Sequence, residues 1–168
     1  KYCFASTGDF GRQRSIMSPE VGKKAIDFLL RESGSRRNLE VDFFGGEPLL
    51  NFNTVKEIVE YALSKQKEYN KNFRFTITTN AVLLNEEHKK FINEHMGNVV
   101  LSIDGRPEVN DRMRCRIDGT GTYKDIISKI KDMAESRNQT NYYVRGTFTR
   151  ENLDFSRDVL HLADQGFK

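Results

Sequence analysis

Tryptophan is absent from these 168 residues, and there are only three prolines and two cysteines. Two cysteines, Cys3 and Cys115, build no disulfide framework, and without a Cys-x-x-Cys pair the usual zinc and thioredoxin-like motifs are excluded. No apolar run is long enough to span a bilayer, and no signal-peptide pattern is present, so no membrane association and a cytoplasmic location are expected. Charge of one sign is also scarce: 27 basic against 24 acidic residues leave a net charge of +3. The densest basic spots, Arg36-Arg37 and Arg112, Arg114, Arg116, lack interleaved aromatics, so no nucleic-acid partner is expected. The chain begins at Lys1 rather than Met and is read as one domain, residues 1–168, excised from something longer.

What is present is an alternation of helix and strand patterns. Ser18-Pro19-Glu20 is a helix start, with Val21, Ala25, Phe28 and Leu29 recurring at helical spacing. Strands are expected at 39–44, 73–79, 98–104 and 142–149. Helices are expected to open at Asn53, at Asn85, at a Thr122/Asp125 capping box and at Asn152. Helix followed by four strand–helix repeats argues for parallel strands with right-handed crossovers. The strands alternate: Phe73, Phe75 and Ile77 oppose Arg74, Thr76 and Thr78, and Val99, Leu101 and Ile103 oppose Val100, Ser102 and Asp104. Inner strands of a doubly wound sheet would be apolar on both faces. The fold class is therefore α/β: a partial (β/α) barrel with flanking barrel units missing and a hydrated lumen.

In such a barrel the strand C-termini carry the chemistry. Val41-Asp-Phe-Phe-Gly-Gly-Glu-Pro48 ends an apolar run at two glycines, a carboxylate and a proline. Gly45 and Gly46 let another molecule lie against the backbone, where exposed carbonyls could accept from an ammonium. Glu47 either binds that ammonium or fixes the turn. The other strand ends present Thr78, Thr79 and Asn80, then Ser102 and Asp104, then Arg145. This set suits a ligand with an ammonium, a carboxylate and hydroxyls, and Arg145 could grip the carboxylate. Asp104 is a candidate catalytic acid or base, or the residue that orders the Gly105 turn. His88 and His95 read as surface residues and Cys115 as a plain thiol. The Gly119-Thr-Gly121 stretch reads as a loop rather than a phosphate cradle.

Tyr2-Cys3-Phe4 resembles the end of the radical S-adenosylmethionine signature Cys-x-x-x-Cys-x-aromatic-Cys, and Gly45-Gly46-Glu47-Pro48 resembles that family's glycine-rich motif. Thr79-Asn80, Ser102-Ile-Asp-Gly105, Asn110-Asp-Arg-Met-Arg114 and Gly119-Thr-Gly-Thr-Tyr123 resemble its peptide-maturing, SPASM-type subgroup. Tyr143-Val-Arg-Gly-Thr-Phe-Thr149 is most similar to thioether-forming maturases of six-cysteine ribosomal peptides (SCIFF). The resemblance implies a [4Fe-4S] cluster held by three thiolates, with Cys3 as the third, and S-adenosylmethionine chelated to the open iron. Reductive cleavage would then give a 5′-deoxyadenosyl radical that abstracts hydrogen from a ribosomally made peptide, with ferredoxin or flavodoxin as electron donor. By the same resemblance Tyr2 would lie near the adenine, Ser102 would bond the ribose or methionine part, and Arg145, then Arg114, would meet the carboxylate. Asn110 stands where the subgroup commonly has His. Only the last signature cysteine is present and the auxiliary-cluster region is missing, so this chain by itself is expected to be inactive. Oligomers could form through open barrel edges. Three competing readings remain: formylglycine formation of the sulfatase-maturase type, a barrel hydrolase with Asp42, Glu47 or Asp104 as paired carboxylates, and a non-catalytic nucleoside- or peptide-binding barrel.

Overall fold

The computed structural model describes residues 15–168. In chain order the elements are α1 (Pro19–Glu32), β1 (Asn38–Phe43), α2 (Phe52–Tyr69), β2 (Asn72–Thr79), α3 (Glu86–His95), β3 (Asn98–Ser102), α4 (Pro107–Met113), α5 (Tyr123–Ser136), β4 (Tyr142–Arg145) and α6 (Phe155–Asp164). The strands form one sheet in the order β1-β2-β3-β4, every pair parallel. Sequential parallel neighbours, each reached through a helical crossover, make one arc of a (β/α) barrel.

The strand alternation is realised in the register. Val41, Phe75 and Phe43, Ile77, Val99 fall in rows on the helix-packed face. Asp42, Thr76, Asn98 and Thr78, Val100, Tyr143 fall in rows on the other face. Phe75, Ile77, Val99, Leu101 and Ile103 are almost wholly buried against Ile58, Val59, Ile92, Ile126, Ile130 and Met133. Each such side chain contributes about 1.5–3 kcal/mol. Phe73 stacks on Phe75, which lies beside Phe43, extending the core across β1 and β2.

Several local expectations are corrected. Helix α1 buries Gly22, Ile26 and Leu30, whereas Val21, Ala25 and Phe28 face outward. The reason is Gly22: a Cβ there would collide with Ile58, so its bareness lets α1 and α2 pack closely along that stripe. Helix α2 starts at Phe52, because a 3-10 turn, Pro48–Asn51, begins the winding before Asn53. Asn85 caps α3 as expected, accepting from the His88 amide. The strands β3 and β4 stop at Ser102 and Arg145, shorter than expected. Helix α4 was not anticipated. Helix α6 begins at Phe155, because Asn152 instead closes the preceding turn by accepting from the Thr149 amide.

The Thr122/Asp125 capping box does not form. The Thr122 hydroxyl donates to the Arg114 carbonyl, and α5 is capped by Asp111, whose Oδ1 accepts from the amides of Thr122 (2.9 Å) and Tyr123 (2.8 Å). His88 is buried rather than superficial: its ring meets the Phe52 ring edge-on at 4.4 Å and its Nδ1 bonds the Leu83 carbonyl.

Candidate functional site at the strand C-termini

Glu47 stands one turn beyond β1 and is held by three donors. Its Oε1 accepts from the Leu49 amide at 3.1 Å and the Thr79 hydroxyl at 2.8 Å, and its Oε2 accepts from the Asn80 amide at 2.8 Å. The first bond starts the 3-10 turn, and the other two tie the end of β1 to the end of β2. Burial pushes the Glu47 carboxyl above the ordinary carboxylate range, against the opposing pull of the Asn80, Thr79 and Leu49 donors. Of the two roles left open for Glu47, the geometry displays the turn-fixing one.

The turn that Glu47 fixes presents Gly45 and Gly46 to open space: a Cβ on either would meet nothing within 4 Å. Gly45 also has a φ of +153°, which side chains disfavour. The strand end is therefore a bare stretch of backbone.

A second cluster forms at β3 and β4. Asp104, whose side chain is fully buried, pairs with Arg114 Nε at 3.0 Å and accepts from the Thr147 amide at 3.0 Å. Asn110, likewise fully buried, accepts from the Asp104 amide. Nearby, Asp158 accepts from the Arg106 amide and Nε, and Asn152 donates to it, so α6 is latched to the turn after β3. Burial alone would raise the Asp158 carboxyl, but the Arg106 and Asn152 donors outweigh it and hold it below its ordinary value.

The expected site residues thus fall into three places. Glu47, Asn80 and Arg114 line one cavity of about 370 Å³, with Thr122, Leu50 and Leu83. Ser102 and Arg145 are register partners on β3 and β4, and Thr78 lies one row earlier, opposite Val100. Arg145 is exposed, its guanidinium 5.9 Å from the Phe44 ring centre. Tyr2 and Cys3 lie outside the described residues. A larger cavity, about 420 Å³, lies between β4 and α6 and is walled largely by apolar groups such as Val144, Phe148, Val159 and Leu162. Asp104, one of the expected site residues, lines this cavity together with Asn152 and Asp158. Of the carboxylates named for a hydrolase, Glu47 is bonded to Leu49, Thr79 and Asn80, Asp104 to Arg114 and the Thr147 amide, and Asp42 stands opposite Thr76 in the sheet.

The sequence pattern did not reveal Asp111 and Thr122 as structural centres of the site. Asp111 stood only as part of the Asn110–Arg114 motif, and its bonds to the Thr122 and Tyr123 amides reach across eleven and twelve residues. The Gly119–Gly121 stretch is indeed a loop: Asp118 Oδ1 accepts from the Thr120 amide, and Cys115 and Gly121 form an antiparallel bridge.

The donor chemistry fits the polar parts of S-adenosylmethionine. Bare backbone at Gly45 and Gly46 suits an ammonium, Ser102 and Thr78 offer hydroxyls, and Arg114 and Arg145 offer guanidinium groups. The described residues do not supply the iron–sulfur cluster. Cys115 is their only cysteine, and among them no group of three or more His, Cys, Asp or Glu side chains could hold a metal ion. No helix among the described residues is long and apolar enough to cross a membrane.

Comparison with known proteins agrees with the resemblance. The family model described as "Radical SAM superfamily" matches residues 1–159. An uncharacterized protein of Methanocaldococcus jannaschii is 38% identical over 126 residues, covering 75% of this chain and 41% of that protein. The cysteine-type anaerobic sulfatase-maturating enzyme of Clostridium novyi is 31% identical over 123 residues, covering 73% of this chain and 31% of the enzyme. The solved structure of native anSMEcpe with bound AdoMet and Kp18Cys peptide superposes with a TM-score of 0.76 at 23% identity, covering 92% of this chain and 42% of that one. The likeness supports the partial-barrel fold. The chain spans less than half the length of the proteins it matches.

Proposed function

The chain belongs to the radical SAM superfamily, and from that premise we propose that it is the S-adenosylmethionine-binding core of a peptide-modifying enzyme. The observation that carries the proposal is the Glu47 anchor. Three donors fix this carboxylate so that Gly45 and Gly46 lie bare at the strand end. In this reading the glycine carbonyls receive the methionyl ammonium, Ser102 and Thr78 contact the ribose or methionine part, and Arg145 or Arg114 receives the carboxylate. Tyr2 lies near the adenine and Cys3 is one cluster ligand. Asp104 pairs with Arg114 and accepts from the Thr147 amide, which supports reading it as a positioning group.

When bound, the [4Fe-4S] cluster and S-adenosylmethionine together supply a carbon radical that removes hydrogen from a substrate. This chain's residues bind and orient. A peptide partner is supported by the likeness to anSMEcpe, whose structure holds a bound Kp18Cys peptide. The proposed outcome is thioether crosslinking, a two-electron oxidation in which the carbon-bound hydrogen would leave in 5′-deoxyadenosine, the thiol proton would be released, the second electron would pass to an iron–sulfur centre, and a carbon–sulfur bond would form. The similarity to a cysteine-type sulfatase-maturating enzyme favours a second reading, oxidation of a cysteine to formylglycine. A cytoplasmic location and a ferredoxin or flavodoxin donor belong to the same proposal.

The test uses the product of the complete gene, purified without oxygen and supplied with reductant, S-adenosylmethionine and a cysteine-containing peptide. Release of 5′-deoxyadenosine with loss of two hydrogens and retention of sulfur supports the thioether. Loss of sulfur supports formylglycine. No S-adenosylmethionine cleavage overturns both.

A further inference from the structure

Asn110 has no exposed surface, yet its side chain ends in a polar carboxamide. Burying a carboxamide is unfavourable unless its donors and acceptor are satisfied. Here they are, and the partners form a closed ring. Asn110 Oδ1 accepts from the Asp104 amide at 3.3 Å. Asn110 Nδ2 donates to Thr122 Oγ1 at 3.2 Å and to Asp111 Oδ1 at 3.0 Å. The Thr122 hydroxyl donates to the Arg114 carbonyl at 2.7 Å, and the Arg114 guanidinium returns to the Asp104 carboxylate through an ion pair, Nε to Oδ1 at 3.0 Å, a charge contact and not an Nε–H hydrogen bond.

Arg114 is therefore held at both ends. Its backbone is fixed through Thr122 and its head through Asp104, and Asn110 is the side chain that joins those two supports. The ring sets the guanidinium beside the cavity shared with Glu47 and Asn80. A guanidinium carries five N–H donors in a rigid fork, so one arginine can serve Asp104 and a ligand carboxylate together. The residue type matters. Aspartate at position 110 would set a second carboxylate against Asp111, and leucine would fill the space but make no bond. Histidine carries one donor and one acceptor nitrogen and can close the ring.

We infer that Asn110 is a positioning residue: its carboxamide closes the ring that aims Arg114 at the carboxylate of the ligand bound on the Gly45–Gly46 edge. The inference rests on the S-adenosylmethionine reading for the ligand's identity. The ring itself stands apart from that reading.

Two readouts keep them distinguishable. The Arg114 Nε–H resonance in nitrogen-correlated NMR reports whether the guanidinium is held. Amide shifts of Gly45 and Gly46 during titration with S-adenosylmethionine give a dissociation constant. Asn110→Leu is expected to lose the protected Arg114 resonance and to weaken binding about tenfold or more, as expected for misplacing one charge-assisted contact. The Asn80 amide, held by Glu47, should keep its position, and Asn110→His should restore both readouts. If Asn110→Leu does not fold, Thr122→Val cuts the same ring at its next link and should give the same losses. Wild-type binding with a retained Arg114 resonance in the folded variant overturns the inference. If the resonance tracks Asn110 but the wild type does not bind S-adenosylmethionine, the ring stands, while its ligand-aiming role and the cofactor reading fall.

Discussion

The Thr79 hydroxyl donates to the Glu47 carboxylate across 2.8 Å, joining the end of β2 to the turn that follows β1. Two adjacent parallel strands are thereby locked at their C-termini, where the bare Gly45–Gly46 backbone begins. The lock is electrostatic as well as geometric, so it responds to pH.

Glu47 titrates high because burial outweighs its donors. The folded state then holds its proton more tightly than the unfolded chain does. Its contribution to stability is present below the ordinary glutamate pKa of about 4.3 and is lost as pH rises through the raised folded value. Urea unfolding of wild type and Glu47→Gln across the acid range should show the wild type's advantage shrinking as pH rises through that window. An advantage that grows over the same range would refute the assignment.

Asp158 should behave with the opposite sign. Held below its ordinary value by Arg106 and Asn152, it adds stability above the unfolded aspartate pKa of about 3.9, and that stability is lost as pH falls through the lower folded value. Its side chain is only 5% exposed, so Asp158→Ala leaves the partly covered Arg106 without its main partner. Arg106 keeps Asp154 at 2.9 Å, so thermal or urea unfolding should register a loss of about 1–2 kcal/mol, the scale of lost hydrogen bonds to a charged group.

Gly105 provides a steric check on the same latch. It has a φ of +119°, and a Cβ there would collide with the Asp158 side chain. Gly105→Ala is expected to cost about 2 kcal/mol or more, combining backbone strain with displacement of Asp158. A change below about 0.5 kcal/mol, the scale of ordinary surface substitutions, would show that α6 is not anchored there.

Removing the cap of α5 should be costly for its distance in sequence. Asp111→Ala deprives the Thr122 and Tyr123 amides of their acceptor and is expected to lower stability by about 2 kcal/mol, the upper range for a cap. Asp125→Ala, the residue in the unformed capping box, should cost well under about 1 kcal/mol, since its contact is an exposed pair with Arg116. Chemical denaturation of both variants decides between the distant and the local cap.

These contrasts mark what was legible in the sequence. The strand from Phe73 to Thr79 was plain, because strict alternation has one physical meaning and the register with β1 and β3 obeys it. The glycine pair and Glu47 were also legible as a bare strand end fixed by a carboxylate, since glycines beside an acid are a local pattern. The buried stripe of α1 was hidden because Gly22 carries no apolar weight in a periodicity, yet its missing side chain is what brings α2 near. The cap of α5 was misassigned because the local Thr122/Asp125 pattern loses to Asp111, eleven residues upstream. His88 looked superficial because its helix is polar, whereas its ring is claimed by Phe52 from another helix. In each case the deciding contact comes from outside the window in which a pattern can be read.

The most direct test of the central claim, that the Gly45–Gly46 edge receives S-adenosylmethionine, is its titration against wild type and Gly46→Val, followed by amide shifts. Open space around Gly46 and its ordinary φ predict that the valine variant folds with stability within about 0.5 kcal/mol of wild type. The account predicts shifts at Gly45, Gly46 and Asn80 in the wild type and at least about tenfold weaker binding in the variant, because the new side chain fills the ligand's place. Equal binding by both proteins, or wild-type shifts confined to other strand ends, would contradict it.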